Sequence, residues 1–183
     1  MLVRRATIAD ADSIAHVQVD TWRASYRGIV PASYLDGLSY ERSSGMWAKA
    51  IRGRDKGSGV LVAQEEGGAI VGFASFGPER SGDRTYRGEL YAVYVLQGSQ
   101  KRGIGSTLVV FASRELLEKG FTSMLLWVLV DNPSRRFYEK LGGQYLRDQS
   151  IEIGGVKLQE VAYGWRDLSS LEGLLQARLR SQS

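Results

Sequence analysis

The stretch ELYAVYVLQGSQKRGIG, residues 89–105, joins an apolar run to a glycine-rich turn. Val and Tyr dominate its first half, and these residue types are typical of a buried strand. After Gly103 apolar side chains recur at helical spacing as far as Leu116, and Gly120 is expected to end that helix. A strand, a glycine turn and a helix in this order indicate an α/β unit, around which the other segments can be placed.

The segments before this unit predict a strand, helices and a hairpin. We expect a strand over residues 2–6 and helical segments between Thr7 and Ile51. The runs VLVAQ (60–64) and AIVGFASF (69–76) are separated by a short Glu- and Gly-containing turn, which predicts a β-hairpin.

The segments after the unit supply three more strands. FTSMLLWVLV (121–130) predicts a strand, a short helix follows over residues 133–141, and two strands fold about Gly154 and Gly155. The whole order predicts an α/β (α+β) fold with a mixed sheet of about seven strands and helices on both faces.

Composition narrows the class of protein. The 183 residues suffice for one substantial core, and 24 Lys and Arg against 20 Asp and Glu give a net charge of +4 without a basic run. We therefore expect no nucleic-acid partner. The sequence has no cysteine and one histidine, His16, which argues against thiolate sites and the His pair of zinc enzymes, so we expect no metal.

The two ends of the chain predict location and organisation. Residues 4–15 lack the apolar core of a signal peptide, and the longest strongly apolar run is far below the roughly 20 residues that span a bilayer. We expect a cytoplasmic protein without a membrane partner. Leucines at helical spacing predict a helical tail over 168–183, after a main domain over 1–167. The tail packs either on the body or on a second subunit, and the latter would make a homodimer.

The turn QKRGIG, residues 100–105, is suited to an anion. Glycines let backbone N–H groups approach a ligand, a helix start carries about half a positive charge, and Lys101 and Arg102 add more. The turn lacks the Lys and hydroxyl residue of a nucleotide P-loop, and Leu108 stands where a dinucleotide fingerprint needs its third glycine. A diphosphate ligand and a plain tight turn both remain open on this motif alone.

A second motif, DNPSRRFYEKLGG, spans residues 131–143. Asn132 is predicted as the N-cap of a helix, Pro133 as its first residue and Gly142 as its end. Tyr138 lies on this helix. If the preceding strands are parallel, both helix starts lie at the same edge of the sheet.

Together the two motifs resemble the signatures of the GCN5-related N-acetyltransferase (GNAT) family, in a bacterial stand-alone form. The resemblance implies a single-domain acetyltransferase fold with a mostly antiparallel sheet, and acetyl-CoA as co-substrate. It implies backbone contacts to the thioester and pantetheine arm at Val93 and Val95, and a leaving-group acid at Tyr138. The implied acetyl-CoA-binding residues are Val93, Tyr94, Val95, Gln100, Lys101, Arg102, Gly103, Ile104, Gly105, Ser106, Asn132, Arg135 and Tyr138.

The acceptor half of the reaction needs a base, because an amine with a pKa near 10.4 is protonated at neutral pH. Glu89 stands eleven residues before Gln100, where some family members carry a glutamate base, and a solvated strand-end charge is the alternative. An oxyanion donor near Val93 would require a gap in strand pairing.

The acceptor pocket is expected from early helices and the loop before Glu89. Trp22, Tyr26, Tyr34 and Tyr91 are its candidate lining, with a core position as the alternative. Arg80, Arg84 and Arg87 would bind an acidic group on the acceptor or simply face solvent.

Three functions follow. We predict an enzyme that transfers the acetyl group of acetyl-CoA to a primary amine of a small molecule by direct attack. A protein or peptide acetyltransferase and a non-catalytic CoA-binding module are the alternatives.

Overall fold

The computed structural model describes residues 1–53, 57–171 and 173. These residues form one seven-stranded sheet in the order β1-β2-β3-β4-β5-β7-β6, together with five α-helices. The strands are β1 Leu2–Arg5, β2 Gly59–Gln64, β3 Ile70–Pro78, β4 Gly88–Val95, β5 Met124–Leu129, β6 Gln144–Ile153 and β7 Val156–Trp165. The helices are α1 Ala11–Ser25, α2 Ala32–Asp36, α3 Tyr40–Arg52, α4 Ile104–Glu118 and α5 Arg135–Lys140.

The predicted order of elements is confirmed. Every described pair of neighbouring strands is antiparallel except β4 and β5, so the sheet is mixed and mostly antiparallel. The short helix α2 was not predicted, and α5 begins at Arg135 rather than at Pro133. The later start follows from an Asn132–Pro133–Ser134 turn, in which Oδ1 of Asn132 accepts the N–H of Ser134 at 2.8 Å.

Helices cover both faces of the sheet, as predicted. On one face, Leu108 and Leu116 of α4 are fully buried in the largest apolar cluster. On the other face, α1 and α3 pack on the sheet, and the Trp47 and Phe73 rings meet edge to face at 4.8 Å. The aliphatic and aromatic residues of β3 alternate between these two faces, which is why this central strand is buried along most of its length.

Strands β4 and β5 separate soon after they meet. Their described pairing consists of Gly88 with Met124 and Glu89 with Leu125. Just beyond, β4 carries an extra residue, because Ser75 pairs with Ala92 while Phe76 pairs with Leu90. This bulge leaves Tyr91 without a register partner in β3 and bends the strand. The gap in strand pairing that an oxyanion donor near Val93 would require is present on the β5 side of β4, while Val93 still pairs with Ala74 of β3.

The described residues after β7 pack against the main apolar cluster. Leu168 and Leu171 are fully buried in the main cluster, and the Leu168 N–H donates to the Thr122 carbonyl at 3.0 Å. Most of the predicted tail, including Leu175 and Leu179, lies outside the described residues, so its boundary stays a prediction. In the described part of the chain, no helix is long and apolar enough to cross a membrane.

Candidate active site

A cavity of about 510 Å³ opens where β4 and β5 separate, between the starts of α4 and α5. Eleven of the thirteen predicted acetyl-CoA-binding residues line it. They are Val93, Tyr94, Val95, Gln100, Lys101, Gly103, Ile104, Gly105, Ser106, Asn132 and Tyr138. We call this space the coenzyme cavity.

The glycine turn has the geometry of an anion site. Gly103 precedes α4 with φ of +82°, a left-handed conformation that glycine adopts without strain, and no atom lies within 4 Å of an ideal Cβ there. Lys101 is also left-handed, with φ of +61°. Gly103, Ile104 and Gly105 at the start of α4 line the cavity, and N–H groups at a helix start point away from the helix toward such a space. This open cradle of N–H groups fits a diphosphate.

Two predicted coenzyme residues do not line the cavity. Nη1 of Arg102 lies 2.7 Å from Oε1 of Glu65 in an exposed ion pair. The Arg135 guanidinium donates to the Val130 carbonyl at 3.0 Å and to the Tyr163 hydroxyl at 3.3 Å. Both side chains therefore have partners outside the cavity, and the coenzyme contacts predicted for Arg102 and Arg135 stay predictions.

Helix α5 is held at both ends, which positions Tyr138. Asn132 is buried and closes the turn before the helix. After the helix, Gly142 is left-handed, its N–H donates to the Glu139 carbonyl, and the Gly143 N–H donates to the Tyr138 carbonyl. This is a Schellman motif, and it confirms the predicted helix end.

Three tyrosine hydroxyls lie close together between the helices and the sheet. Burial raises the pKa of Tyr138 well above its usual value, and the neighbouring Tyr26 raises it further. Burial likewise raises the pKa values of Tyr26 and Tyr94, although hydrogen bonds from Tyr94 and Asn132 to Tyr26 oppose the effect there. All three phenols are consequently neutral hydrogen-bonding groups at physiological pH.

A second cavity of about 430 Å³ lies on the other side of the opening, and we call it the acceptor cavity. Its walls come from α1, the loop after β3, β4, β5 and the β6–β7 hairpin. Six residues line both cavities: Tyr26, Leu90, Tyr91, Tyr94, Trp127 and Val128. We call these six the junction. A group extending along the coenzyme cavity can therefore meet a second molecule at this opening.

Glu89 lines the acceptor cavity, but its carboxylate is already hydrogen-bonded to Arg80. Its side chain is 3% exposed, and it accepts hydrogen bonds from the Arg80 backbone N–H and Nε, each at 3.1 Å, as well as from Nη2. The Arg80 guanidinium carbon also lies 4.3 Å from the centre of the Tyr91 ring. The Glu89 carboxylate raises the pKa of Arg80. A substrate proton would reach Glu89 only after Arg80 moves.

The predicted acceptor residues divide into two groups. Trp22, Tyr26 and Tyr91 line the acceptor cavity, and so does Arg80. Tyr34 does not, because it packs beside Trp22, at 5.9 Å between ring centres, and under the β6–β7 turn at Gly154. Arg84 and Arg87 are exposed and also lie outside the cavity walls. For these three residues the structure therefore agrees with the alternatives left open above, a packed position for Tyr34 and a solvent-facing one for Arg84 and Arg87.

Several lining residues were missed by sequence reasoning. Trp127 and Val128 lie in an apolar strand whose pattern predicts only a core position. Phe137 directly precedes Tyr138, the residue that was predicted for the site. Gln149, Ile151, Ile153 and Glu160 come from the final hairpin, and only the folding of this hairpin over the sheet brings them to the cavity. No local pattern marks them, because their role depends on a contact between distant strands.

Comparisons with known proteins agree with this architecture. Residues 19–143 match the Acetyltransferase (GNAT) family. N-acetyltransferase YuaI of Bacillus subtilis strain 168 is 43% identical over 174 residues, which cover 94% of this chain and 97% of YuaI. Phosphinothricin N-acetyltransferase of Streptomyces viridochromogenes is 26% identical over 172 residues, or 91% and 83% of the two chains. The structure of yncA from Salmonella typhimurium with its cofactor acetyl-CoA has a TM-score of 0.68 at 25% identity, and covers 92% of this chain and 94% of that one.

The chain thus belongs to the GNAT family of acetyltransferases. It is an acetyl-CoA-dependent N-acetyltransferase, and acetyl-CoA is its co-substrate. Among the described residues, no group of His, Cys, Asp and Glu is arranged to hold a metal ion.

Proposed function

We propose that this enzyme acetylates a primary amine of a small molecule by direct attack in a ternary complex. The observation that carries the proposal is the junction, where the coenzyme cavity and the acceptor cavity share six wall residues. Two molecules that enter from opposite sides would meet there without a covalent enzyme intermediate. The chain has no cysteine to carry an acyl group, which also favours direct transfer.

Two features fit the coenzyme: the glycine turn before α4, and the edge of β4 where it no longer pairs with β5. N–H groups from Gly103 to Ser106 would hold the diphosphate, and the part of β4 that has left β5 would hold the pantetheine arm. Acetyl-CoA supplies a thioester, which is activated toward an amine nucleophile. By Val93 β4 no longer pairs with β5, so an N–H on that side of the strand is suited to a developing oxyanion.

Tyr138 is best suited to donate a hydrogen bond to the departing sulfur. A thiol has a pKa of about 8.5, below the roughly 10 of an ordinary tyrosine, so full transfer of the phenol proton is uphill. The raised pKa of buried Tyr138 makes that transfer still less favourable. The hydroxyl therefore stabilises the thiolate while keeping its own proton, and the thiolate becomes a thiol with the proton that the attacking amine releases as the N–C bond forms and the C–S bond breaks.

A small acceptor is favoured over a protein by the walls of the acceptor cavity. Gln149, Ile151 and Ile153 of the β6–β7 hairpin and Trp22 of α1 are among its lining residues. The half-open space has a volume of about 430 Å³, within the usual range for a small ligand. A peptide would need a longer groove, so a protein acetyltransferase is the less favoured alternative. The cytoplasmic location and the homodimer stay predictions.

Initial rates test direct transfer. The acetyl-CoA and amine concentrations are varied together on a panel of small amines that includes phosphinothricin, because one relative carries that name. Release of free thiol is followed. We expect intersecting reciprocal plots for at least one amine. Parallel plots would contradict a ternary complex, and acetylation of peptides alone would favour the protein acetyltransferase.

A further inference from the structure

The acceptor cavity contains a buried carboxylate that sequence reasoning did not single out. Glu160 lies on β7, where it pairs with Leu129 of β5, and it is 8% exposed. Its Oε1 accepts a hydrogen bond from Nε2 of Gln149 at 2.8 Å. Within residues 1–53, 57–171 and 173, no cationic side chain forms an ion pair with Glu160, and Oε2 accepts no hydrogen bond.

This state is unusual for an acidic side chain in such a position. Buried carboxylates are normally paired with a cation or saturated with hydrogen bonds, because removing the charge from water is costly. Gln149 is neutral and satisfies only one oxygen. Glu160 is therefore a carboxylate with an open oxygen in the wall of a cavity.

The other acidic side chains of the cavity are already engaged. Glu89 is bound by the Arg80 guanidinium and backbone. Glu79 accepts the backbone N–H groups of Ser81 and Asp83, each at 2.7 Å, and so holds the loop after β3 in place. The cavity walls carry these three acidic side chains and one basic one, Arg80. The wall therefore carries a net negative charge. Among the described acidic side chains of the wall, Glu160 is neither paired with a cation nor saturated with hydrogen bonds.

Glu160 also lies close to the point of reaction. Its partner Leu129 directly follows Val128, a junction residue, and one step along a strand is about 3.3 Å. Glu160 further raises the pKa of Tyr26, another junction residue, by its negative charge. A cation on Glu160 would thus be next to the opening between the cavities.

The rest of the wall near Glu160 is apolar or aromatic. Trp22, Trp127, Leu129, Ile151 and Ile153 line the same cavity, and the Arg147 guanidinium carbon already lies 5.4 Å from the centre of the Trp127 ring. A cationic group is stabilised over aromatic faces, and a hydrocarbon body is stabilised by the aliphatic side chains. The cavity lacks a free basic residue for an acceptor carboxylate among the described residues, because Arg80 is taken by Glu89.

We infer that Glu160 receives the ammonium group of the acceptor, and that the acceptor is a monocationic amine with an apolar body rather than an amino acid. The ammonium group loses one proton to solvent before its nitrogen attacks the thioester, so Glu160 binds the acceptor in the form that precedes the reaction. An arylalkylamine such as phenethylamine has this chemistry. The inference rests on the proposed function for the reaction, but it concerns binding, which can be measured separately.

Calorimetry in the presence of CoA tests the inference with three ligands of similar shape: phenethylamine, 2-phenylethanol and phenylalanine. We expect wild-type protein to bind phenethylamine at least about tenfold more tightly than the alcohol or the amino acid, as a charge-assisted hydrogen bond implies. Equal binding of the amine and the alcohol, or no binding of the amine, would overturn the inference. This comparison needs no variant.

Variants then locate the contact. Glu160→Gln should weaken phenethylamine binding by about 10- to 100-fold while CoA binding is unchanged, which also reports that the variant is folded. Glu152→Gln, an exposed acid on the same hairpin, is the matched control and should change amine binding by less than about twofold. Equal effects of the two substitutions would contradict the assignment to Glu160.

Turnover separates this inference from the proposed function. Phenethylamine that binds through Glu160 but releases no thiol from acetyl-CoA would contradict the proposed small-molecule reaction and leave the binding assignment supported. Acetylation of phenylalanine as efficiently as of phenethylamine would contradict the inference and leave the proposed function standing.

Discussion

At the scale of single residues, Tyr138 shows how burial sets a chemical role. Its hydroxyl lines the coenzyme cavity, its side chain is 8% exposed, and its pKa is raised by burial and by Tyr26. A group with a raised pKa keeps its proton over a wider range of pH. Tyr138 therefore stays neutral below pH 10, as its proposed role as a donor requires, and we expect any alkaline loss of activity in that range to have another cause.

Tyr138→Phe removes only this donor. We expect kcat to fall by about one to three orders of magnitude, the usual effect of losing an acid or hydrogen-bond donor at the leaving group. The measurement is steady-state release of free thiol at saturating acetyl-CoA. The control is Tyr145→Phe, at an exposed tyrosine on β6. Unchanged turnover in Tyr138→Phe would remove this residue from the mechanism.

Three predicted site residues do not line the cavities, and they share a physical cause. Arg102, Arg135 and Tyr34 carry side chains long enough to reach more than one neighbour, and the tertiary structure offers each a partner away from the cavities. Sequence spacing gives the position of a Cα on its element. It does not give the rotamer of a long side chain, which depends on distant elements.

At the scale of elements, the two parts of α4 differ: its first turn is the proposed diphosphate site, and its apolar face packs on the sheet. Gly103 gives the turn a left-handed residue, and Leu108 and Leu116 are fully buried on the sheet. The spacing of apolar residues and glycines predicted both features, since each depends on local sequence.

Gly103→Ala tests the first turn. A left-handed residue with a Cβ costs roughly 1–2 kcal/mol, and since no neighbour crowds this Cβ, the effect is on backbone geometry. We expect the Kd for acetyl-CoA to rise by about 3- to 30-fold, with kcat at saturation little changed. Calorimetric titration measures the first quantity.

Gly120→Ala is the matched control for that substitution. Gly120 ends the same helix with φ of +85°, and no atom lies within 4 Å of an ideal Cβ there. It should cost similar stability in thermal unfolding while the Kd for acetyl-CoA stays at the wild-type value. If both variants bind acetyl-CoA equally well, the turn at Gly103 does not hold the coenzyme.

Other element-scale features could not be predicted. The bulge at Tyr91 depends on how β4 pairs with β3, and the early end of β4–β5 pairing depends on that bulge. Both arise from contacts between strands, whereas the identity and order of the strands follow from local apolar patterns. The sequence motifs consequently contain most residues that line the coenzyme cavity but few that line the acceptor cavity. The walls of the acceptor cavity come from α1, the loop after β3 and the last hairpin, which are distant in sequence.

At the scale of the whole molecule, the fold holds two cavities on opposite sides of one opening in a sheet. α4 and α5 present their N-terminal ends to the coenzyme cavity, while α1 and the β6–β7 hairpin close the acceptor cavity. The mixed sheet makes this possible, since its one described parallel pair separates and leaves strand edges exposed inside the protein. Transfer between bound molecules needs such an opening.

A crystal structure of the protein with acetyl-CoA is the most direct test of the two-cavity arrangement. We expect the diphosphate on the N–H groups that follow Gly103, and the acetyl group at the junction, beside Leu90 and Val128 and within reach of the Tyr138 hydroxyl. A diphosphate bound away from the start of α4, or an acetyl group that does not reach the opening between the cavities, would contradict it.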